Sequence, residues 1–464
     1  MSIIRGPDQG QSMAIGRVVR TTVGFFAVAV STLSASAGPD LIVADSYTCK
    51  KWGTSAGVSA YSFSFIYCNI GDEPALVFQG SAVHPVVTTS VYRMMNGRLE
   101  QIGQGFVFHE YCALQTSICA TCTPVDTACV ALGPGCSTTT GSSTAGAQQR
   151  LGSRRFVNPA SGVLTWPIAG FGDLGDVMYK RVQVSNVDLD ASIHPGASYF
   201  IESRIVATDD GFAGNGLNNA TCRPIQVGPM VDGGPILTPS GVAVTRTTAV
   251  EAWGLADASV HVSFIDLGDG SERFVLGSKA TANGDGTWSY EYALENYSAT
   301  QGAGSFRVPL NGSAVSAAAF HDVASHSGDP FDSIDWASQP DGSIALEWRT
   351  AQPWSENPNG NALRWGSTYS FRLVSSGPPT SGSVTIGLFE PGETAAVSGV
   401  AIVPGAVPPA CVGDADGDGE VDFTDVTSVL SGWGTPGPMG DADHDGDVDF
   451  ADVSAVLAHF GGAC

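Results

Sequence analysis

The chain has 464 residues, with 45 Asp plus Glu against 21 Lys plus Arg, and only 14% of its residues are charged, where an average soluble protein has roughly 25%. The net charge of -24 excludes nucleic acid as a default partner, because binding phosphates needs a surplus of cations. With 58 Gly and 26 Pro, the composition predicts many turns and a mainly β fold, over a length that accommodates two or three domains.

Residues 1–37 read as a signal peptide. Arg17 and Arg20 precede an apolar run at 23–33, and Ala35-Ser36-Ala37 supplies small residues at a cleavage site. That run, about eleven residues, is too short to span a bilayer, and no later run approaches the needed length. The mature chain is expected to start at Gly38, with Met13 a second possible initiator, to carry no transmembrane segment, and to be secreted, extracellular or at the cell surface.

Ten cysteines, an even number, fit an oxidising compartment and a disulfide framework. Eight fall between Cys49 and Cys222. Cys119 and Cys122 form a C-x-x-C followed by Cys129 and Cys136, a spacing that zinc could use, but no second C-x-x-C follows and disulfides are the expectation.

The first domain is predicted over 38–228. Tyr61, Phe63, Phe65 and Tyr67 alternate with smaller residues at the period of a strand, the turn at 69–72 follows, and Leu76-Val77-Phe78 begins a partner strand. Further strands are predicted at 90–94, 106–109, 179–184 and 199–207, with a long pinned loop over 112–147. Pro39-Asp40-Leu41-Ile42-Val43, the 63–71 strand and turn, Tyr92 before Asn96-Gly97, Glu110-Tyr111-Cys112, Gly133-Pro134-Gly135-Cys136 and Leu217-Asn218-Asn219-Ala220-Thr221-Cys222 follow the order seen in lysyl oxidase catalytic domains, which this region resembles. The resemblance implies a secreted, disulfide-rich β-sandwich. It does not carry over copper or quinone chemistry, since there is no H-x-H and only His84 sits near a matching place. The region's other histidines, His109 and His194, lie far apart in sequence and are expected to be ordinary packed or surface residues.

The second domain is predicted over 229–403, with alternation at 288–294, 306–310, 344–348, 369–373 and 384–388, and turn pairs at Asp269-Gly270, Asn283-Gly284, Asp285-Gly286 and Asp341-Gly342. That is the pattern of a second β-sandwich. His321, Asp322, His326 and Asp329 form a polar cluster that reads as a loop between strands. Glu291, Glu347, Asp332 and Asp335 are available for a hydrolase, yet nothing in the sequence pairs them across a cleft. Among Trp336, Trp348, Trp354 and Trp365, core packing is expected for Trp348, and Trp354 and Trp365 are the candidates for an exposed sugar platform. A Pro-rich linker at 404–410 follows.

The last stretch, 411–464, writes one acidic sentence twice. Asp414, Asp416, Asp418, Glu420, Asp422 and Asp425 return 27 residues later as Asp441, Asp443, Asp445, Asp447, Asp449 and Asp452, with Gly419 and Gly446 at the sixth loop position. This is the twelve-residue calcium loop: oxygen ligands at positions 1, 3, 5, 9 and 12, a backbone carbonyl at 7 (Glu420, Asp447) and glycine at the sharp turn. Hard oxygen ligands suit calcium rather than zinc, and two ions are expected. A helix follows each loop, with Phe423, Val426, Leu430 and Trp433 matching Phe450, Val453, Leu457 and Phe460 as one apolar stripe. Pro404, Pro408 and Pro409 exclude a helix before the first loop. This loop-then-helix pair resembles the dockerin module, whose partners are cohesins. The stretch has no Lys or Arg where cohesin-binding dockerins carry basic residues, so calcium binding carries over and cohesin binding does not. Cys411 and Cys464 are expected to close the module as a disulfide.

The whole then reads as two β-sandwich domains and a small α calcium-binding module, in a secreted, non-catalytic surface or assembly protein whose partner is a cohesin-like or other surface protein. The alternative is an extracellular enzyme, of polysaccharide hydrolase or amine oxidase type, or a carbohydrate-binding protein that meets extracellular polysaccharide.

Overall fold

A computed structural model describes residues 37–109, 111–125, 128–406, 411–436 and 439–462. The predicted signal peptide, most of the linker, and Cys464 lie outside the described residues. The fold is mainly β, with two short helices near the C-terminus, and among the described residues no helix is long and apolar enough to cross a membrane.

The aromatic run at 61–67 does not form one strand. It breaks at Ser64 into Val58–Phe63, in an eleven-stranded sheet, and Phe65–Asn69, in a three-stranded sheet with Leu41–Asp45 and Ser137–Thr140. Ser64 fixes the break: its hydroxyl accepts hydrogen bonds from the Tyr47 and Thr48 amides at 3.2 and 2.8 Å. Leu41, Val43, Phe65 and Tyr67 of the small sheet pack on Val87, Phe108 and Ile205 of the large one. The expected partner strand at 76–78 is reduced to Ala75–Leu76, which pairs instead with Ala131–Leu132.

The predicted pinned loop carries three disulfides, Cys68–Cys119, Cys112–Cys129 and Cys122–Cys136. Both cysteines of the C-x-x-C are thereby bonded elsewhere, which removes the zinc reading. Cys49 and Cys222 are free thiols, so the even count did not mean full pairing; burial pushes both thiols well up from their ordinary range.

The boundary predicted at 228/229 falls inside Ala220–Val231, a strand that turns at Asp232-Gly233 and pairs back with Gly234–Pro239. Beyond it, helix Ala249–Ala256 starts with a capping box between Thr248 and Glu251. Its Trp253 enters a core with Tyr92, Leu99 and Phe200 of the large sheet, Val275 and Ala293 of the next one, and Tyr297 just past the end of a strand of that sheet. Gly277 makes this approach possible, since a Cβ there would stand 2.8 Å from the Trp253 ring.

Two five-stranded antiparallel sheets follow, one ordered His261–Leu267, Glu272–Ala282, Trp288–Asn296, Ser367–Ser375, Val315–His321, the other Ala337–Asp341, Ala345–Arg349, Ala303–Pro309, Pro379–Leu388, Ala396–Pro404. Tyr290, Tyr292, Leu294 and Phe371 of the first and Phe306, Trp348, Ile386 and Val403 of the second share one core. Pro404, expected in the linker, ends the last strand and pairs with Pro379.

Candidate metal centre

Each acidic loop is wrapped around its own carboxylates. Asp425, fully buried at position 12, accepts from the Ala415 and Asp416 amides at 2.7 and 3.1 Å through one oxygen and from the Asp422 amide at 2.8 Å through the other. Asp452 repeats the pattern with Ala442, Asp443 and Asp449 at 2.6, 3.1 and 2.7 Å. Asp414 at position 1 accepts from Gly417, Asp418 and Gly419, and Asp441 accepts from Asp445 and Gly446. The sixth-position glycines take φ of +90° and +99°, which L side chains rarely adopt.

Ligand oxygens converge in both loops. Carboxylate oxygens of Asp414, Asp416 and Asp425 lie within 4.8 Å of one another, as do those of Asp441, Asp443 and Asp452, and of Asp447, Asp449 and Asp452. Crowding shows in the electrostatics of the second loop: partial desolvation and then Asp445 raise the Asp443 carboxyl, and Asp445 is the main cause of the rise at Asp447. In the first loop Asp418, Glu420 and Asp422 are outside the converging set; in the second, Asp445 is outside while Asp447, at position 7, brings its carboxylate into a set with Asp449 and Asp452. Asp422 and Asp449 also cap helices Phe423–Gly432 and Phe450–His459, accepting from the Thr424 and Ala451 amides, each at 2.6 Å. An all-oxygen, largely carboxylate donor set on a backbone held by its own amides fits a hard divalent cation.

The two loop-helix units interlock by reciprocal hydrogen bonds. Gly413 donates to the Ala442 carbonyl and Gly440, 27 positions on, donates to Ala415, at 2.9 and 3.1 Å; Gly434 donates to Val448 and Gly461 to Val421, at 2.9 and 2.7 Å. Val421, Val429, Val448 and Val456 fill the core between them. The predicted apolar stripe is therefore corrected. Phe423 and Phe450 are 70% and 71% exposed, and Leu430, Trp433, Leu457 and Phe460 are exposed as well. Of that stripe only Val426 and Val453 turn inward, where they join Val429 and Val456 and the loop valines in the core. Cys411 is disulfide-bonded.

Elsewhere the candidate residues are dispersed or absorbed. His321 and His326 hydrogen-bond the Gln101 and Gln104 carbonyls, each at 2.9 Å, while Asp322 accepts from Asn361 and Asp329 faces Arg155, so this cluster ties two sheets together instead of converging on an ion. Glu291 is buried against Arg98 and Arg372 at 3.0 and 3.2 Å, Glu347 pairs with Arg349 at 2.7 Å, and Asp332 accepts from Asn357. Trp336, Trp348 and Trp365 are core residues; Trp365, expected to be exposed, donates to the Arg154 carbonyl at 3.0 Å. Trp354 is half-buried.

One arrangement was not legible in sequence. His84 and His109 come together with ring centroids 4.4 Å apart, against Tyr111 and Trp166. Both are fully buried, and burial lowers them to about 4 and about 3. His84 bonds the Pro85 carbonyl through Nδ1 at 2.6 Å and the Tyr111 carbonyl through Nε2 at 3.2 Å, while His109 has the Ser81 backbone near it as a polar neighbour. His194 is elsewhere, in a turn after Asp190.

No family model matches the chain, and no curated protein matches it. Among solved structures, it is similar to a serine-rich repeat adhesion glycoprotein (Srr1) from Streptococcus agalactiae at 9% identity, with 80% of this chain and 98% of that one covered and a TM-score of 0.19. It is also similar to the exo-chitosanase CsxA of Amycolatopsis orientalis at 11% identity, covering 74% of this chain and 25% of that one, with a TM-score of 0.13. Likeness at these scores says nothing about what this chain does.

Proposed function

We propose that the chain is a secreted, non-catalytic surface or assembly protein in which two β-sandwiches present a C-terminal dockerin-like module that binds two calcium ions. The observation that carries this reading is the acidic loop written twice, with each position-12 carboxylate buried and held by three backbone amides. In the first loop Asp414, Asp416, Asp418, Asp422 and Asp425 and the Glu420 carbonyl would hold one ion; in the second, Asp441, Asp443, Asp445, Asp449 and Asp452 and the Asp447 carbonyl would hold the other. Bound calcium neutralises carboxylates that otherwise repel, so it favours the interlocked pair over the open chain. The two five-stranded sheets with their common core support the sandwich reading of the second region. The outward apolar residues of both helices support docking onto a cohesin-like or other surface protein.

Calorimetry on the full chain is expected to give two calcium ions per molecule. Asp414→Ala and Asp441→Ala are each expected to remove one, and fewer than two ions on the unmodified chain would refute the paired-loop reading.

A further inference from the structure

We propose that the cleft between the 155–165 segment and the loops of the second β region binds an acidic oligosaccharide, a sugar chain carrying carboxylate or sulfate groups. This goes beyond the calcium reading and does not depend on it.

The cleft has a volume of about 730 Å³ and is walled on one side by 155–165, on the other by 300–302, 354–359 and Phe389-Glu390. That size lies within the roughly 300–1,000 Å³ of small-ligand sites. Half-buried Trp354 lines it, with no hydrogen bond to its indole N–H among the described residues, so the ring offers a flat apolar face beside a free polar tip. A pyranose presents the matching pair, a face of C–H groups rimmed by hydroxyls.

Two guanidinium groups set the charge preference. Arg364 lies 3.7 Å from the Phe331 ring centroid and 5.4 Å from that of Phe389. It donates to the Gly360 and Pro358 carbonyls at 2.8 and 2.9 Å, leaving donors of its five to spare. Arg155 is exposed, its guanidinium makes no hydrogen bond among the described residues, and its nearest carboxylate, Asp329, is 4.0 Å from Nε. Against them the lining itself holds one acid, Glu390, whose carboxyl partial burial raises; Asp329 and Asp332, outside the lining, also act on Arg364, and Asp329 faces Arg155. A neutral sugar would use these donors only as ordinary hydrogen bonds; a carboxylate or sulfate makes them charge-assisted and about twice as strong. The protein's overall charge of -24 opposes any acidic ligand at long range. Screening over about 8 Å at physiological salt leaves the local pair in control, so an acidic glycan that binds must bind at a built site.

The test is calorimetry on the full chain with tetragalacturonate, a chondroitin sulfate tetrasaccharide, cellotetraose and tetraglutamate. At least one acidic tetrasaccharide is expected to bind ten times or more tighter than cellotetraose or tetraglutamate, with or without a calcium chelator. Trp354→Ala and Arg155→Gln, both at the surface and checked for an unchanged melting midpoint, are each expected to weaken it at least tenfold. The proposal is overturned if neither acidic tetrasaccharide binds, if cellotetraose or tetraglutamate binds as tightly, if chelation abolishes binding, or if either folded variant binds like the unmodified chain.

Discussion

His84 and His109 are the residues whose chemistry sequence could least reveal, because 25 positions and two different segments separate them and only the folded core brings the rings together. Their consequence is a pH dependence with a definite sign. Both imidazoles titrate near 6.5 in the unfolded chain and near 4 and 3 when folded, so the unfolded state takes up protons first as pH falls. Their neutral packing is tolerated in full above about pH 6.5 and destabilises progressively as pH drops toward 4 and then 3. From 1.36 kcal/mol per pH unit, His109 alone is expected to cost about 2–3 kcal/mol between pH 7.5 and 4.5. His109→Phe keeps an aromatic ring against Trp166 and cannot titrate. Its stability relative to the unmodified chain, from urea midpoints, is expected to improve by that amount over the same interval, and a difference that stays flat with pH would exclude the mechanism. Arg204 is the converse case, a buried cation held by Glu202 at 2.7 Å and by fully buried Glu295, and donating to the Tyr297 carbonyl at 2.6 Å. Arg204→Met leaves two carboxylates without their cation and is expected to lower stability by about 3–5 kcal/mol in denaturant titration.

At the level of elements, the two loop-then-helix units were legible because the repeat is local and fixed in spacing, whereas the face each helix buries was not. Phe423 and Leu430 are larger than Val426 and Val429, yet burial follows which edge the partner loop can reach, a fact of the 27-residue repeat folding on itself. Trp288–Asn296 and Ser367–Ser375 of the second region were readable from alternation, whereas His261–Leu267, Glu272–Ala282 and Ala396–Pro404 were not; nor were Val58–Phe63 and Phe65–Asn69 separable, since a serine that switches sheets keeps the period intact. Gly413 tests the interlock directly. Its φ is +106°, and a Cβ there would stand 2.9 Å from Val421 Cγ1. Gly413→Ala is expected to destabilise the pair by about 1–3 kcal/mol and to weaken calcium binding at both loops, because each unit's backbone completes the other. Loss confined to the first loop, read by calorimetry, would mean the two units act independently.

Over the whole molecule, alternating strands and a Gly/Pro turn at 228–235 suggested two separable domains, but what joins them is non-local, and therefore invisible to pattern. Thr368 donates its amide to Gln101 at 2.6 Å, Ser370 bonds the Leu99 carbonyl at 2.6 Å, Asn219 donates to the Tyr297 hydroxyl at 3.0 Å, and Trp365 bonds Arg154. Beneath these lies a shared apolar core around Trp253, and at its edge the buried Arg204 and Glu295, one from each region. Separate domains meet through modest surfaces that part without exposing a core, and independent motion is then the default. Here parting would strand a charged pair and open the Tyr92, Phe200 and Trp253 cluster to water. Residues 38–405 are accordingly expected to melt in one calorimetric transition, with equal calorimetric and van't Hoff enthalpies. Chelating calcium from the full chain should leave that transition in place, since the four hydrogen bonds that interlock the tail are all internal to it. Two resolved transitions, one retained in a 229–403 fragment, would show that each sheet system is stable by itself and that the polar contacts between them are incidental.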